Sequence, residues 1–253
     1  MDASPGFRSV RILGTRVDDV DQAQAAGLIM AMALAAPGRP WHVVTVNPEF
    51  VIRARRDPAF HAVLEAADLA LPDGVGLIWA SRILRTPLRG RATGVQTTLD
   101  LAALAGARGM SFFLLGAAPG VAEAAAARLV THAPGLRIAG TYAGSPAAEE
   151  EEEIVARVRQ GGPDFLFVAF GAPQQDLWIA RNRERLGVRV AMGVGGTFDY
   201  LSGRVPWPSA AWRRLGLEWL YRLVHQPWRW RRMLALPQFA FLVLVSRLRG
   251  KSR

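Results

Sequence analysis

The sequence predicts an α/β fold in which a mostly parallel sheet is flanked by helices, followed by a C-terminal helical appendage. Up to about residue 200, short apolar, β-branched runs alternate with stretches of helical periodicity. That alternation is typical of a parallel sheet covered on both faces. About half of the 253 residues are apolar, which is enough for a sizeable core. After Gly203 the pattern changes to turn residues and to helices rich in tryptophan and arginine.

The strands are predicted from short apolar runs, and the helices from the periodicity between them. The expected strands are residues 41–46, 69–71, 111–115, 136–142, 164–170 and 188–194. The expected helices are at about 19–35, 49–66, 75–84, 96–108, 119–133, 147–160 and 174–186. A last helix is expected from Ser209, its N-cap, to about His225, before Pro227 breaks the pattern. We therefore expect a catalytic body over residues 1–203 and a basic, Trp-rich appendage over residues 204–253.

The formal net charge of +10 is unevenly distributed. Residues 1–203 carry 20 basic and 20 acidic side chains, whereas residues 204–253 carry 11 basic side chains and one acid, Glu218. Five of the eight tryptophans also lie in the second range. A basic segment with interspersed Trp and Leu is typical of an interfacial membrane element. A nucleic-acid patch and a solvated helix in an arginine-rich chain are the alternatives.

Composition excludes several classes of site. There is no cysteine, which rules out disulfides, thiolate zinc sites and cysteine nucleophiles. The four histidines are scattered without metal-ligand spacing. The first residues lack the pattern of a signal peptide, and the longest apolar runs fall short of the ~20 residues that a spanning helix needs. We therefore expect no metal site and no membrane crossing.

Polar residues follow several predicted strands, where open parallel sheets bind their ligands. In "LPDGVG", Asp73 stands between proline and glycine. It is either a turn acid bonded to its own backbone or a general base whose proton affinity rises through partial desolvation. In "TVNPEF", Thr45 and Asn47 face the same way along a strand and suit a polyhydroxyl ligand. The alternative for Asn47 is to cap the next helix.

Two later turns and the basic appendage suit a nucleotide. "FGAPQQDLWI" places Gln174, Gln175 and Asp176 at a helix N-terminus, which suits phosphate or plain capping. "GVGGTFDYLSG" is glycine-rich without being G-x-G-x-x-G, and its Asp199 either binds a base edge or caps a helix. Planar guanidinium groups suit diphosphate recognition, and plain solvation is the alternative for each; the candidates are Arg222, Arg229, Arg231 and Arg232.

These motifs occur together in a fixed order. "TVNPEF", "DPAF", "LPDGVG", "FGAPQQDLWI", "GVGGTFDYLSG" and "GLEWLYRL" run from about Val10 to Phe241. Jointly they resemble the WecG/TagA/CpsF glycosyltransferases, glycosyltransferase family 26. The resemblance implies a Rossmann-like α/β body whose C-terminal helical appendage completes the site at the membrane. Two departures are Trp207-Pro208-Ser209 in place of Arg-Ala-Pro, and Gln174-Gln175-Asp176 in place of Lys-Gln-Glu.

The resemblance also implies an activity. Members are inverting, metal-independent enzymes without a cofactor, and they serve cell-surface polysaccharide synthesis at the cytoplasmic face of the membrane. They move a sugar from a UDP-sugar, of ManNAc, ManNAcA or Glc type, to an undecaprenyl-diphosphate-linked sugar. Asp73 corresponds to the proposed catalytic base. The corresponding substrate-binding residues are Thr45, Asn47, Gly74, Arg91, Gln175, Asp199, Arg222, Arg229 and Arg232.

Two rival functions remain at the level of sequence. One is a nucleotide- or nucleic-acid-binding regulatory module whose basic appendage grips phosphates. The other is a Rossmann oxidoreductase, which the missing dinucleotide fingerprint disfavours. The donor sugar, the acceptor sugar and the oligomeric state stay open, with a homo-oligomer among the alternatives.

Overall fold

The computed structural model describes residues 7–35, 38–209, 211–212 and 215–249, apart from the side chain of Arg229. The strands are β1 (Ser9–Ile12), β2 (Thr15–Asp18), β3 (Trp41–Val46), β4 (Leu69–Pro72), β5 (Ser111–Gly116), β6 (Arg137–Tyr142), β7 (Phe165–Ala169) and β8 (Val190–Gly193). The helices up to residue 203 are α1 (Gln22–Leu34), α2 (Pro48–Ala54), α3 (Pro58–Ala66), α4 (Val75–Ile83), α5 (Gly94–Gly106), α6 (Val121–His132), α7 (Glu151–Gly161), α8 (Gln174–Asn182) and α9 (Thr197–Leu201). Beyond residue 203 lie α10 (Glu218–His225), α11 (Trp230–Met233) and α12 (Ala235–Arg249). Short 3₁₀ turns occupy Ala148–Glu150, Arg183–Arg185 and Pro227–Arg229.

Six strands form one parallel sheet with the order β4-β3-β8-β7-β5-β6. The predicted α/β class is confirmed, and each predicted strand is present within two residues of its expected ends. Strands β4, β5, β7 and β8 are buried along their whole length, as expected for a sheet covered on both faces. All parallel strands end at the same edge, so the loops that follow them converge there.

An antiparallel hairpin, β1–β2, lies beside the β4 edge of the sheet and was not predicted. Its strands have only four residues each, too few for the period of two to stand out. The buried carboxylate of Asp18 accepts a hydrogen bond from the Ala70 N–H of β4 at 2.7 Å. The hairpin therefore satisfies a donor on an edge strand that would otherwise be open.

Two predicted helices differ from the structure. The single helix expected over 49–66 is two helices, because Asp57 caps α3 through the Phe60 N–H and Pro58 is its first residue. The continuous helix expected from Ser209 to about His225 is also wrong. Gly216 has a φ of +70°, a conformation that favours glycine, and α10 begins only at Glu218.

The core has a layer on each face of the sheet. One face is covered by α1, α5, α6 and α9, and the other by α2, α3, α4, α7 and α8. We call the described residues after 203 the C-terminal segment. Its helix α12 packs against α2 and α4 and buries Phe239 and Val243 in their cluster. Among the helices of the described ranges, none is long and apolar enough to cross a membrane.

Candidate active site

A cavity of about 580 Å³ opens where the parallel strands end. Its volume lies within the range of small-molecule sites. One wall comes from the loops after β3, β4, β7 and β8, and the other comes from the C-terminal segment. The residues of the second wall are Arg204, Trp207, Pro208, Gly216, Glu218, Trp219, Arg222, Gln226, Trp228, Arg232, Met233 and Leu236. The site residues implied by the family resemblance whose side chains are described all line this cavity: Thr45, Asn47, Asp73, Gly74, Arg91, Gln175, Asp199, Arg222 and Arg232. Arg231, a further candidate from the sequence, does not line it and lies over the ring of Trp230.

Asp73 is held in the cavity wall by a sharp strand-to-helix turn. Pro72 ends β4, and the Asp73 N–H donates to the Val46 carbonyl oxygen at 2.7 Å. Gly74 then adopts a φ of +103°, which only glycine reaches without strain, and α4 begins at the next residue. The Asp73 carboxylate accepts a hydrogen bond from the Gly94 N–H at the start of α5. The sequence "PDG" thus fixes the acid at the rim of the sheet.

Burial raises the pKa of Asp73 to about 6, from an ordinary value of 3.8. The Gly94 N–H and the cations Arg91 and Arg222 favour the ionised form and oppose this rise, whereas Glu218 adds to it by repulsion. Desolvation is the largest effect, so it wins. A carboxylate with this pKa is ionised at neutral pH and accepts a proton more readily than an exposed aspartate does.

Thr45 and Asn47 both reach the cavity, and both also have structural bonds. The Thr45 hydroxyl donates to the Gly193 carbonyl oxygen at 3.2 Å and so ties β3 to the end of β8. The Asn47 carboxamide oxygen accepts from the Phe50 N–H at 3.0 Å and caps α2. The capping alternative is therefore present for Asn47, and the cap uses only the oxygen of its carboxamide.

The three residues expected at the N-terminus of α8 point in different directions. Gln175 is buried at the cavity wall, where its carboxamide oxygen accepts from the N–H groups of Gly171 at 3.2 Å and Gly195 at 2.9 Å. Gln174 is exposed and does not line the cavity. Asp176 is fully buried below it, with its carboxylate 3.7 Å from His42 Nε2. Of the three, only Gln175 is available to a ligand.

Arg222 of α10 crosses to the glycine-rich loop after β8. Its guanidinium lies 3.2 Å from the Asp199 carboxylate and over the ring of Tyr200. Gly196 leaves the room for it, because a Cβ there would lie 1.6 Å from Arg222 Nη2. The glycine in this loop is thus required by the close approach of an arginine that follows it by 26 residues.

Two further ion pairs join the walls of the cavity. Arg91 Nη1 lies 2.7 Å and 2.9 Å from the two carboxylate oxygens of Glu218. Arg232 Nε donates to Glu49 Oε1 at 2.7 Å. With Arg222 and Asp199, each pair places a cation of the cavity against an acid of the opposite wall. The side chain of Arg229, also predicted here, lies outside the described part of the structure.

Sequence reasoning did not select Glu49, Tyr200 or Glu218 as site residues, although all three line the cavity. Glu218 had a signal, since it is the one acid after residue 203. For Glu49 and Tyr200, the only signal in the sequence was their position next to the candidate residues Asn47 and Asp199.

Within the described ranges, no group of three His, Asp or Glu side chains could hold a metal ion. The closely spaced acids Asp19 and Asp21 have structural bonds elsewhere. Asp19 accepts from the Arg89 N–H at 2.7 Å and pairs with Arg8, and Asp21 caps α1.

Comparison with known proteins adds a family match. Residues 10–253 match the family described as "Glycosyl transferase WecG/TagA/CpsF family". The match covers nearly the whole chain, including both walls of the cavity.

Three relatives show the same similarity. A Bacillus spizizenii protein (strain W23) is 37% identical over 202 residues, 80% of this chain and 78% of that protein. A Bacillus subtilis protein (strain 168) is 34% identical over 210 residues, 83% and 81% of the two chains. A Staphylococcus aureus protein (strain MRSA252) is 29% identical over 242 residues, 96% and 94% of the two chains. Each is named N-acetylglucosaminyldiphosphoundecaprenol N-acetyl-beta-D-mannosaminyltransferase.

Proposed function

Because the chain belongs to the WecG/TagA/CpsF family of glycosyltransferases, we propose that it transfers a ManNAc-type sugar from a UDP-sugar to an undecaprenyl-diphosphate-linked N-acetylglucosamine. The printed names of the relatives support this acceptor and this sugar. The observation that carries the proposal is one carboxylate, Asp73, in the wall of a cavity that Arg91, Arg222 and Arg232 also line. UDP-linked ManNAcA and Glc are the alternative donors.

The reaction is a single displacement. An acceptor hydroxyl oxygen attacks the anomeric carbon of the donor, and the bond from that carbon to the diphosphate oxygen breaks. The hydroxyl proton passes to Asp73, and the bonding electron pair leaves with UDP. One displacement inverts the anomeric configuration. General-base catalysis of this kind contributes roughly 10²–10⁴ in rate.

The departing diphosphate is stabilised by arginines. Arg91, Arg222 and Arg232 come from both walls and converge on the same cavity. Guanidinium groups bind phosphate oxygens through paired, charge-assisted hydrogen bonds, and they act most strongly where water is excluded. These cations neutralise the charge that develops on UDP, so the step we propose requires no metal.

We propose that Asp199 recognises the uracil. It lines the cavity beside Tyr200, whose ring packs edge-on against Trp207 with ring centres 5.8 Å apart. A carboxylate accepts a hydrogen bond from an imide N–H, and aromatic rings contact a base face. We therefore propose that the uridine end of the donor lies at α9 and that the sugar lies toward Asp73.

We propose that the C-terminal segment rests on the cytoplasmic face of the membrane, where the lipid-linked acceptor is anchored. It exposes large apolar side chains next to arginines, a combination that favours interfaces with anionic lipid. The most exposed of them are Leu215, Val224, Trp228, Trp230, Leu234, Phe241, Leu244 and Leu248. A peripheral enzyme bound in this way meets its acceptor without crossing the bilayer.

The activity is tested by incubating the protein with UDP-ManNAc and a short-chain lipid-diphosphate N-acetylglucosamine, then measuring UDP release and the disaccharide product. We expect transfer that survives EDTA, and a product whose anomeric configuration is inverted by NMR. Asp73→Asn should lower kcat by roughly 10²–10⁴ while the donor still binds. Unchanged turnover in a folded Asp73→Asn protein would remove the base from the mechanism.

Membrane contact is tested by flotation with vesicles that contain anionic lipid. We expect the double variant Trp228→Ser, Trp230→Ser to bind these vesicles more weakly than the natural chain. Leu34→Ser is the matched control, since Leu34 is also exposed but lies at the opposite edge of the sheet, next to the Ala33 carbonyl that accepts from Arg189 before β8. Equal loss of binding in both variants would contradict the proposed orientation.

A further inference from the structure

Glu218 is placed at a junction that the proposed reaction does not explain. It is the first residue of α10 and the one acid that α10 brings to the cavity. Its two carboxylate oxygens lie 2.7 Å and 2.9 Å from Nη1 of Arg91, which belongs to the wall opposite α10. Both side chains are only about a quarter exposed, 27% for Arg91 and 26% for Glu218. Partial burial strengthens a pair that would be weak on an open surface.

The backbone that carries Arg91 runs directly beside the proposed base. The Ala92 N–H donates to the Pro72 carbonyl oxygen at 2.8 Å, and the Gly94 N–H donates to the Asp73 carboxylate. The backbone next to Arg91 is therefore tied to the Asp73 turn. The direction of its side chain decides how much of its charge acts on that acid.

We propose that Glu218 is a positioning residue for the transfer reaction inferred above: carried in by the C-terminal segment, it holds the Arg91 guanidinium in a shared ion pair and so prevents Arg91 from neutralising the Asp73 base. This inference rests on the proposed function only for the role of Asp73. The pairing itself is a contact between the two walls of the cavity.

The electrostatics of Asp73 agree with this arrangement. Arg91 and Arg222 lower its pKa and Glu218 raises it, in addition to the larger effect of burial. The remaining charged residues that line the cavity are Glu49 on α2, Asp199 on α9, Arg204, and Arg232 on α11. Glu49 pairs with Arg232, and Asp199 pairs with Arg222. Glu218 is thus the carboxylate that pairs with Arg91, which is the cavity arginine nearest in sequence to Asp73.

A charge-removal test separates this role from a merely structural one. In Glu218→Gln, Asp73 loses a repelling neighbour and Arg91 loses its ion pair with Glu218, so the acid limb of kcat/KM should move to lower pH. The plateau rate should fall several-fold, because the base is weaker. In Arg91→Gln, Glu218 acts without its counter-ion, and the limb should move to higher pH. A purely structural pair would not shift the limb in opposite directions.

Glu49→Gln is the matched control. It breaks the Arg232 pair, which also joins the two walls at 2.7 Å, but Glu49 is not among the groups that shift the pKa of Asp73. Glu49→Gln should leave the acid limb of the kcat/KM profile at the same pH, whatever its effect on the rate. Glu218→Asp, which keeps the charge, should restore part of the natural pH profile.

The second measurement requires no turnover. The Asp73 carboxyl carbon, ¹³C-labelled and identified by its absence from Asp73→Asn, is titrated by NMR in the substrate-free protein. A lower titration midpoint in Glu218→Gln and a higher one in Arg91→Gln support the inference, even if no transfer is detected and the proposed function fails. A midpoint that does not change in either folded variant overturns it, even if transfer is confirmed.

Discussion

The body up to residue 203 and the part of the C-terminal segment that faces the cavity are held by different forces. In the body, each face of the sheet has its own apolar cluster, and the strands at its centre are buried throughout. In the C-terminal segment, α10 buries no residue and α12 buries Phe239 and Val243. The segment reaches the cavity through ion pairs, of which Arg91–Glu218 and Arg232–Glu49 are the shortest.

This difference shows that fold and cavity are stabilised separately. Apolar burial contributes roughly 25 cal/mol for each Å² removed from water and is insensitive to salt. Partly exposed ion pairs contribute about 1 kcal/mol or less and weaken as salt rises. Asp73 therefore belongs to the body, whereas three of the four cavity arginines, Arg204, Arg222 and Arg232, belong to the segment whose contacts at the cavity are weaker.

The largest expected effect comes from removing the apolar anchor of the segment. Phe239→Ala should lower the free energy of unfolding by about 3–5 kcal/mol, because Phe239 is 4% exposed within the cluster of α2 and α4. Transfer activity should fall with it. Phe241→Ala is the control, since Phe241 is 65% exposed on the same helix and should change stability by about 0.5 kcal/mol or less. Chemical denaturation measures both, and similar losses would mean that the segment is not anchored by burial.

The next effect is a gain in stability on replacing Asp73, the proposed base. The folded-state pKa of Asp73, about 6, lies above its ordinary value of 3.8, so protonation favours the folded chain. That stabilisation is complete below pH 3.8 and is lost as the pH rises through 6. Asp73→Asn keeps an uncharged group, so at pH 8 it should be more stable by at most about 3 kcal/mol.

Thermal melts from pH 4 to pH 8 check this gain. The difference between Asp73→Asn and the natural chain should shrink as the pH falls below 6. A difference that is constant with pH would show that the asparagine acts by packing and not by removing a buried charge.

A smaller loss is expected inside the body. Gln175→Ala removes the acceptor for the Gly171 and Gly195 N–H groups, which join the loops after β7 and β8. The expected cost is about 2 kcal/mol, since two partly buried donors lose their partner. Gln174→Ala, at the exposed neighbouring position, is the control and should be nearly neutral. Equal denaturation midpoints for the two variants would contradict the linking role.

The smallest effect belongs to a pair between the two regions. Arg232→Gln should cost about 0.5 kcal/mol at low salt, because Arg232 and Glu49 remain partly exposed. In 0.5 M NaCl the variant and the natural chain should have the same stability. A cost that persists in high salt would show that Arg232 stabilises through packing of its stem and not through its charge.

The sequence predicted the parallel sheet because its strands are continuous apolar runs, such as residues 111–115 and 164–170. It did not predict the β1–β2 hairpin or the interruption of the expected helix at Gly216, since these depend on tertiary contacts and on one backbone angle. For the site, position at the end of a strand or directly after it was sufficient for Thr45, Asn47 and Asp73. The Arg91–Glu218 pair spans 127 residues, and no local pattern shows which side chain of α10 crosses the cavity.

The absence of a side chain at Gly196 has a consequence for related enzymes. Any larger residue there would have to displace the Arg222 head and separate it from Asp199. A single column of an alignment can therefore sort homologous enzymes by how they seat this arginine. Homologues with a larger residue at the position of Gly196 must place the arginine that corresponds to Arg222 differently. Those homologues can show whether the contact between Arg222 and Asp199 is essential.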